Sequence, residues 1–247
     1  MNFNQSIRTV ADAVVADCCL YHLIGEQSSG DMRNLKPAGL GAVKDPTYTD
    51  LEAWANPGYM TTGADVTAFA ELPNAESKFT LVGKSLILVY RMKKATPAGT
   101  EIFISSTASG ATPGGYTIDG RSTAQTRVTI FANDGTSAGI SIAATCDGAE
   151  HTVVVFVPGT GGGSLTSYVD GVFLNTASAA NVLGKDCAGN GNLRIGSVLG
   201  SNLAKASNIA VLAAYNSTKT LAQMPLALIA DYLHRNPGMP LENWHGV

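Results

Sequence analysis

The segment SLTSYVDGVFLNTASAANVLGKDCAGNGNLRIGSVLG, residues 164–200, contains the strongest indication of fold in the chain. Tyr168 and Val169 alternate before the pair Asp170-Gly171, and a run of small residues follows before a second short apolar segment that ends in Gly. Asp and Gly both tolerate positive φ, which lets two antiparallel strands reverse with the twist of a sheet. The motif therefore predicts a β-hairpin whose corner is Asp170-Gly171, and we interpret it as a folding device rather than a reactive site.

Short segments rich in β-branched and aromatic residues recur from residue 59 onward, and Gly, Pro, Asn or Asp separates many of them. They are residues 85–92, 101–105, 126–132, 138–144, 151–157, 165–171 and 207–215. Val128, Ile130 and Ala132 share one face of their segment, with Thr129 and Phe131 on the other. The run VVVFV at 153–157 is apolar on both faces and predicts a central strand covered on both sides. Strands at this spacing favour an all-β fold with two packed antiparallel sheets.

The rest of the chain is less regular, and we expect a single β-sandwich domain over 1–247. A helix is predicted near the C-terminus, because Thr220 and Gln223 have capping-box spacing and an apolar stripe follows as far as His234. Three further segments are expected outside the sandwich: a short helix or arm at 1–16, with an edge strand as the alternative, an irregular excursion at 25–58, and a surface tail at 236–247.

The composition excludes several classes of function. The chain has 247 residues, 45% of them hydrophobic and 14% charged, with a net charge of -3. It has no basic patch, so we expect no nucleic-acid partner. No apolar run reaches the roughly 20 residues of a membrane-spanning helix, so we expect no membrane insertion. The N-terminus lacks the basic start and apolar block of a secretory signal, which favours synthesis and folding in the cytoplasm.

Three sequence features that could carry chemistry are better explained by structure. The four cysteines, Cys18, Cys19, Cys146 and Cys187, form no CxxC motif, so we expect small, partly buried, reduced thiols. The Gly-rich stretch GTGGGS at 159–164 lacks the Lys-Ser/Thr and the helix of a phosphate-binding loop, so it predicts a hairpin loop. The loop acids Asp134, Asp147 and Asp170 are typical turn formers.

The order of the motifs resembles a known family. HTVVVFV, a Gly-rich loop, SLTSYVDGV, NLRIGS and ASNIAVLAAYNSTKTLAQMPLALIADYL follow one another as in the C-terminal half of laminin-G-like domains of the concanavalin A-like jelly-roll superfamily. CLYHLIGEQSSGDMRNLKP and GYMTTG resemble the first strands of that family more loosely. The resemblance implies a jelly-roll β-sandwich with a closing strand near Tyr215 and a short C-terminal helix.

The same resemblance raises an enzymatic alternative. Glycan hydrolases of this superfamily carry alternating acids on one strand, and this chain has no such run, so a carboxylate pair would have to converge from distant strands. His151 opens a strand and is expected to pack there rather than to act as a base. Family members often hold calcium, but no ligand set matches here. We therefore assign no catalytic, metal or cofactor residues and expect a non-enzyme without cofactors.

The functional hypothesis rests on this fold and composition. We expect a bacteriophage virion structural protein, such as a tail-fibre, baseplate or capsid-decoration component. It would pack in symmetric copies with itself and other virion proteins, contribute to host attachment, and reside in the virion. The alternative is a stand-alone glycan-binding module that stacks sugars on Trp54, Tyr59 or Tyr116, for which core or interface packing is the competing explanation. A glycan-cleaving enzyme ranks third.

Overall fold

The computed structural model describes most of the central part of the chain and shorter stretches on either side of it. The described ranges are 18–23, 47–49, 60–61, 69–72, 78–107, 113–159, 162–189, 191–195 and 208–218. All regular elements within them are strands, in chain order β1 Cys18–Leu23, β2 Thr47–Thr49, β3 Met60–Thr61, β4 Phe69–Leu72, β5 Ser85–Lys93, β6 Glu101–Ser105, β7 Gly115–Arg121, β8 Gln125–Phe131, β9 Ser137–Ile142, β10 Glu150–Val157, β11 Ser164–Val169, β12 Val172–Ser178, β13 Leu193–Ile195 and β14 Asn208–Ser217.

The strands form two sheets. Sheet I has seven strands in the order β1-β14-β5-β10-β11-β12, with β3 pairing beside them on β14. Sheet II also has seven strands, in the order β2-β4-β13-β6-β7-β8-β9. Neighbouring strands pair antiparallel throughout both sheets. The predicted all-β, two-sheet antiparallel sandwich is therefore confirmed. β14 lies between β1 and β5, inside sheet I, whereas the family resemblance implied a closing strand there.

The core fills the space between the sheets with alternate side chains of the facing strands. Sheet I contributes Leu86, Leu88, Tyr90, Val153 and Val155, and sheet II contributes Phe103, Tyr116, Ile118, Val128 and Ile130. Each of these side chains is at most 1% exposed. Alternation places them on one face of each strand, which is how two twisted sheets pack face to face. The predicted inward face of Val128, Ile130 and Ala132 is confirmed.

The central strands of sheet I are buried on both faces. Ile87 and Val89 of β5, and Val154 and Phe156 of β10, belong to the face turned away from the core and are nevertheless at most 2% exposed. β10 lies between β5 and β11, so it has hydrogen-bonded neighbours on both sides as well. The prediction that VVVFV forms a central strand covered on both sides is confirmed.

Each segment predicted to be a strand contains one, and β12 follows the corner as the hairpin prediction requires, but β2, β4 and β7 were not predicted. β7 has the sequence GYTIDGR, which begins with Gly and contains an Asp-Gly pair, and both features read as turn signals. Pairing of β7 with both β6 and β8 overrides this local preference. The residues of β12 do not alternate between buried and exposed positions. The register of β12 against β11 shifts between Ser167 and Tyr168, at a β-bulge.

Several sequence predictions lie outside the described residues: the helix or arm at 1–16, the C-terminal helix and the tail at 236–247. In the excursion at 25–58, Thr47–Thr49 forms β2 and pairs with β4, and the rest is outside the described ranges. Cys18 and Cys19 begin β1, where the structure describes the backbone alone. Among the described residues, no helix is long and apolar enough to cross a membrane.

Candidate functional site

The corner that the sequence singled out joins β11 to β12. Asp170 has φ 50° and Gly171 has φ 86°. Two successive positive φ angles are the signature of a two-residue hairpin turn that follows the twist of the sheet. The predicted hairpin at Asp170-Gly171 is therefore confirmed, with β11 ending at Val169 and β12 starting at Val172.

Directly after this corner, three consecutive apolar side chains are exposed. Val172 is 69% exposed, Phe173 55% and Leu174 40%. The Phe173 ring meets the ring of Tyr168 edge-on, with centroids 5.9 Å apart and an interplanar angle of 74°. β12 is the outermost strand of sheet I in the described part of the fold. We call these residues, Tyr168, Val172, Phe173 and Leu174, the corner surface.

Such a cluster is uncommon on a strand edge. Single exposed apolar side chains are ordinary, but three in succession along an outermost strand invite contact with another molecule. One other large apolar side chain among the described residues is exposed: Val82, at 57%. It is far from the corner surface in the sequence. The corner surface is therefore the candidate functional site of the described fold.

Asp170 ties the corner to β10. Its backbone N–H donates to the carbonyl of Thr152 at 2.9 Å, and its Oδ1 accepts from the N–H of Thr152 at 2.8 Å. Its second oxygen, Oδ2, lies 2.7 Å from Nδ1 of His151. The other ring nitrogen of His151, Nε2, lies 3.1 Å from Oδ1 of Asp147. The imidazole thus joins the corner to the turn that precedes β10.

The electrostatics of this cluster favour a charged imidazole. Burial lowers the pKa of His151, but its hydrogen bonds to Asp170 and Asp147 and the charges of both carboxylates outweigh burial, so the pKa is raised overall. The pKa of Asp147 is lowered by the backbone N–H of Ala149 and then by His151. Oδ1 of Asp147 accepts from that N–H at 2.8 Å, so the carboxylate also closes its own turn, as predicted for a loop acid.

A second ion pair lies beside the cluster on β5 and β10. Arg91 is 8% exposed and pairs with Glu150. Burial lowers the pKa of the Arg91 guanidinium, and the negative charge of Asp170 raises it. Arg91 therefore supplies positive charge near the corner from the neighbouring strand.

The arrangement of the two carboxylates does not suit glycoside hydrolysis. That reaction needs two carboxyl groups with the glycosidic oxygen or a water between them. Here the imidazole of His151 occupies the position between Asp147 and Asp170 and engages both. Of the isolated glutamates, Glu101 pairs with Lys94 and Glu150 with Arg91. The described residues thus offer charge pairing in these places rather than a converging acid and base.

The residues proposed from the sequence for sugar stacking fall elsewhere. Tyr116 lies in β7, is 1% exposed and packs 6.1 Å from the Phe79 ring, so the competing explanation of core packing holds for it. Trp54 and Tyr59 lie outside the described residues. Phe173 was missed, although the letters VFL directly after Asp-Gly are a visible signal, because the sequence does not show that their strand lies at the end of its sheet in the described fold.

The remaining candidates have structural roles. β10 and β11, on either side of GTGGGS in the chain, pair antiparallel as the predicted hairpin requires, and residues 160 and 161 lie outside the described ranges. Asp134 accepts from the N–H of Thr136 at 3.0 Å and from Lys185 at 2.7 Å. Cys146 and Cys187 are buried free thiols, and burial is the main cause that raises the pKa of each to about 12. Over the described ranges, no three His, Cys, Asp or Glu residues are grouped so as to hold a metal ion.

Comparison with known proteins gives matches at the level of structure. No protein-family model and no curated protein matches the sequence. The structure resembles the binding domain of botulinum neurotoxin serotype G, with a TM-score of 0.64 and 9% identity over 88% of this chain and 50% of that chain. It also resembles the botulinum neurotoxin serotype D ligand-binding domain in complex with N-acetylneuraminic acid, with a TM-score of 0.63 and 8% identity over 92% of this chain and 52% of that chain.

A third similar structure is the binding domain of botulinum neurotoxin DC in complex with rat synaptotagmin II, with a TM-score of 0.62 and 11% identity over 89% of this chain and 52% of that one. The chain thus spans about half the length of the solved chains that it matches. At this level of identity the likeness defines the class of fold alone, a two-sheet antiparallel β-sandwich. The matched structures are binding domains rather than catalytic ones.

Proposed function

We propose that this chain is a non-catalytic binding module that recognises a cell-surface carbohydrate through the corner surface. The observation that carries the proposal is the aromatic pair formed by the exposed Phe173 on β12, the outermost strand of described sheet I, and the half-buried Tyr168 on β11. Sugar rings present C–H groups that pack on aromatic faces, and protein sites for them combine such faces with a few polar groups.

The geometry supports this use of the pair. The edge-on contact with Tyr168 holds the Phe173 ring in place while leaving more than half of Phe173 exposed. A ring that is already ordered loses little conformational freedom when a ligand binds. Asp170, next to the rings, carries a carboxylate that is fixed by Thr152 and could accept a sugar hydroxyl.

The similar structures give independent support for a binding role. All three are binding domains of neurotoxins. The serotype D domain is in complex with N-acetylneuraminic acid, and the DC domain is in complex with rat synaptotagmin II. Transferring a ligand class from them to this chain is part of the proposal, since fold does not fix function.

The test is a glycan array with the purified chain, followed by calorimetry on any glycan that binds. We expect Phe173→Ser to weaken binding roughly tenfold, because an aromatic contact contributes about 0.5–1.5 kcal/mol. Val82→Ser, which removes an exposed apolar side chain elsewhere, is the matched control and should leave affinity unchanged. Absence of binding across the array, or equal affinity of both variants, would reject the proposal.

A second candidate is a virion component that packs in symmetric copies, in a tail fibre, a baseplate or a capsid decoration. It is favoured by one observation: β12, with the sequence VFLNTAS, is outermost in described sheet I, uncharged and apolar at its start. A second copy could approach it without like-charge repulsion. This role would be supported if the sedimentation of the chain depended on its concentration, if Leu174→Lys abolished that dependence, and if the chain were found in purified particles. A monomer that is absent from particles would reject it.

A further inference from the structure

His151 links two turns that are far apart in the chain. Its Nδ1 meets Asp170 of the β11–β12 corner at 2.7 Å, and its Nε2 meets Asp147 of the turn before β10 at 3.1 Å. The His151 side chain is 14% exposed, so both contacts are partly shielded from water. The imidazole therefore lies between the two carboxylates and contacts both.

The chemistry of imidazole makes this double contact depend on one proton. A carboxylate can only accept hydrogen bonds, so each ring nitrogen must carry a hydrogen to bind its Asp. A neutral imidazole has one N–H, and only the imidazolium has two. Both contacts can therefore be hydrogen bonds at the same time only while His151 is protonated.

We propose that His151 is a proton-dependent clasp that couples the corner surface to the preceding turn and thereby regulates ligand binding there. The clasp itself stands on the contacts of the imidazole, and only its effect on a ligand rests on the proposed function. Tyr168 lies two residues before Asp170 and Phe173 three residues after it, so the relative position of the two rings depends on the corner that the clasp holds.

The geometry also identifies which contact is lost on deprotonation. Asp170 is held by Thr152 through both its backbone and Oδ1, and its contact with His151 is the shorter one. The Asp147 side chain is 43% exposed, against 27% for Asp170, so water can replace the imidazole there more easily. The neutral ring therefore keeps its hydrogen on Nδ1, facing Asp170, and releases Asp147.

The surrounding charges support protonation near neutral pH. The charged groups that act on His151 are Asp147 from the turn before β10 and Asp170 from the corner. On β5, Arg91 acts on Asp170 and pairs with Glu150 of β10, while Lys94 pairs with Glu101 of β6. Hydrogen bonds to two carboxylates outweigh burial and raise the pKa of His151 above its ordinary value.

The sign of the pH dependence follows from this direction. A histidine whose pKa is higher in the folded state stabilises the fold fully below its unfolded pKa of about 6.5. The stabilisation is lost as the pH rises through the raised folded pKa. The clasp is therefore closed at mildly acidic pH and opens as the pH rises above the folded pKa of His151.

The deciding experiment is an NMR titration of the full chain without ligand, from about pH 5 to about pH 9, covering the range in which His titrates. We expect the His151 ring to titrate above about 6.5, with hydrogen on both nitrogens below the midpoint and on Nδ1 above it. The amide of Ala149, which donates to Asp147, should exchange roughly three- to tenfold faster above the midpoint, after correction for the intrinsic pH dependence, because Asp147 then loses its charged hydrogen bond to the imidazole.

Two variants make the result specific to the clasp. Asp147→Asn keeps an acceptor but removes the charge, and should lower the midpoint of His151. His151→Gln should remove the pH-dependent change at Ala149. Titration of His151 at or below about 6.5, or an unchanged step at Ala149 in His151→Gln, would overturn the proposal. Because no ligand is present, a chain that binds no glycan still gives a decisive result.

Discussion

Gly159, two residues after β10, illustrates how one residue can set a close approach of three segments. Its N–H donates to Oγ of Ser85 at 3.3 Å, and its carbonyl accepts from the N–H of Gly184 at 2.9 Å. A Cβ at this position would overlap the backbone carbonyl of Lys84. Backbone cannot move aside as the end of a side chain can, so only glycine fits here.

We predict that Gly159→Ala lowers the free energy of unfolding by about 1–3 kcal/mol, the usual cost of overpacking. Gly99→Ala is the matched control, because a Cβ there meets nothing within 4 Å. That control should stay within about 0.5 kcal/mol of the parent chain. Urea denaturation followed by fluorescence measures both, and equal stability of the two variants would contradict the close approach.

The corner and its neighbour show what a local reading can and cannot supply. Asp170-Gly171 was predictable, because positive φ at two adjacent residues is a property of those residue types. The partner of Asp170 was not, since His151 is 19 positions away and only the register of β10 against β11 brings them together. The sequence alone therefore predicts the turn but not the clasp.

At the scale of elements, the turn between β8 and β9 is held by charge and by side-chain amides. Asp134 accepts from Thr136 and from Lys185, which lies in the segment after β12. Asn175 donates to the carbonyl of Ser141 at 2.8 Å, and Asn181 donates to the carbonyl of Ser137 at 3.2 Å. Both carbonyls are on β9, the outermost strand of sheet II in the described fold. These donors occupy carbonyls that would otherwise be open on a strand edge.

We predict that this turn loosens in acid. Lys185 and Thr136 lower the pKa of Asp134, so its contribution is present above the unfolded value of about 3.9 and is lost as the pH falls through the folded pKa. Lys185→Met should raise the pKa of Asp134 measured by NMR, and high salt should have the same direction of effect because the pair is exposed. A pKa unmoved by Lys185→Met would show that the hydrogen bonds of Thr136 alone set it.

Strands differed in how far their sequences predicted them. β10 was predicted correctly as a central strand, because its apolar run leaves no face for water, and β5, which was predicted only as a strand, is buried in the same way. β7 was hidden by its glycines, one of which, Gly120, lies where a Cβ would collide with the Phe103 ring. Its glycine records close packing across the sheet rather than a turn, and a local reading cannot separate these two causes.

At the scale of the whole molecule, a chain of buried hydroxyl groups connects the two sheets. The Tyr90 hydroxyl, from sheet I, meets Oγ1 of Thr126 in sheet II at 2.6 Å. Oγ1 of Thr126 meets Oγ1 of Thr145 at 3.0 Å, and that hydroxyl donates to the carbonyl of Ile142 at 2.8 Å. Burial raises the pKa of Tyr90, which keeps the phenol neutral. These hydroxyl groups thus form a hydrogen-bonded link between the two sheets within the apolar core.

We predict that Tyr90→Phe lowers the free energy of unfolding by about 1 kcal/mol, since Thr126 keeps Thr145 as a partner. Thr145→Val should cost about 1–3 kcal/mol, because the buried N–H of Thr126 also loses its acceptor. Thr123→Val, at an exposed position, serves as the control. Calorimetry measures all three, and a Thr145→Val variant as stable as the control would contradict the role of this chain.

The two-sided burial of β5 has a consequence for how the gene can vary. In a library of random single substitutions selected for folded product, survivors should be depleted of polar codons at every position from Leu86 to Tyr90, where burial is continuous. Along β8 the depletion should come and go, because buried and half-buried positions are interspersed there. Sequencing such survivors would show the layering of the sandwich as a contrast between the codons for β5 and the codons for β8.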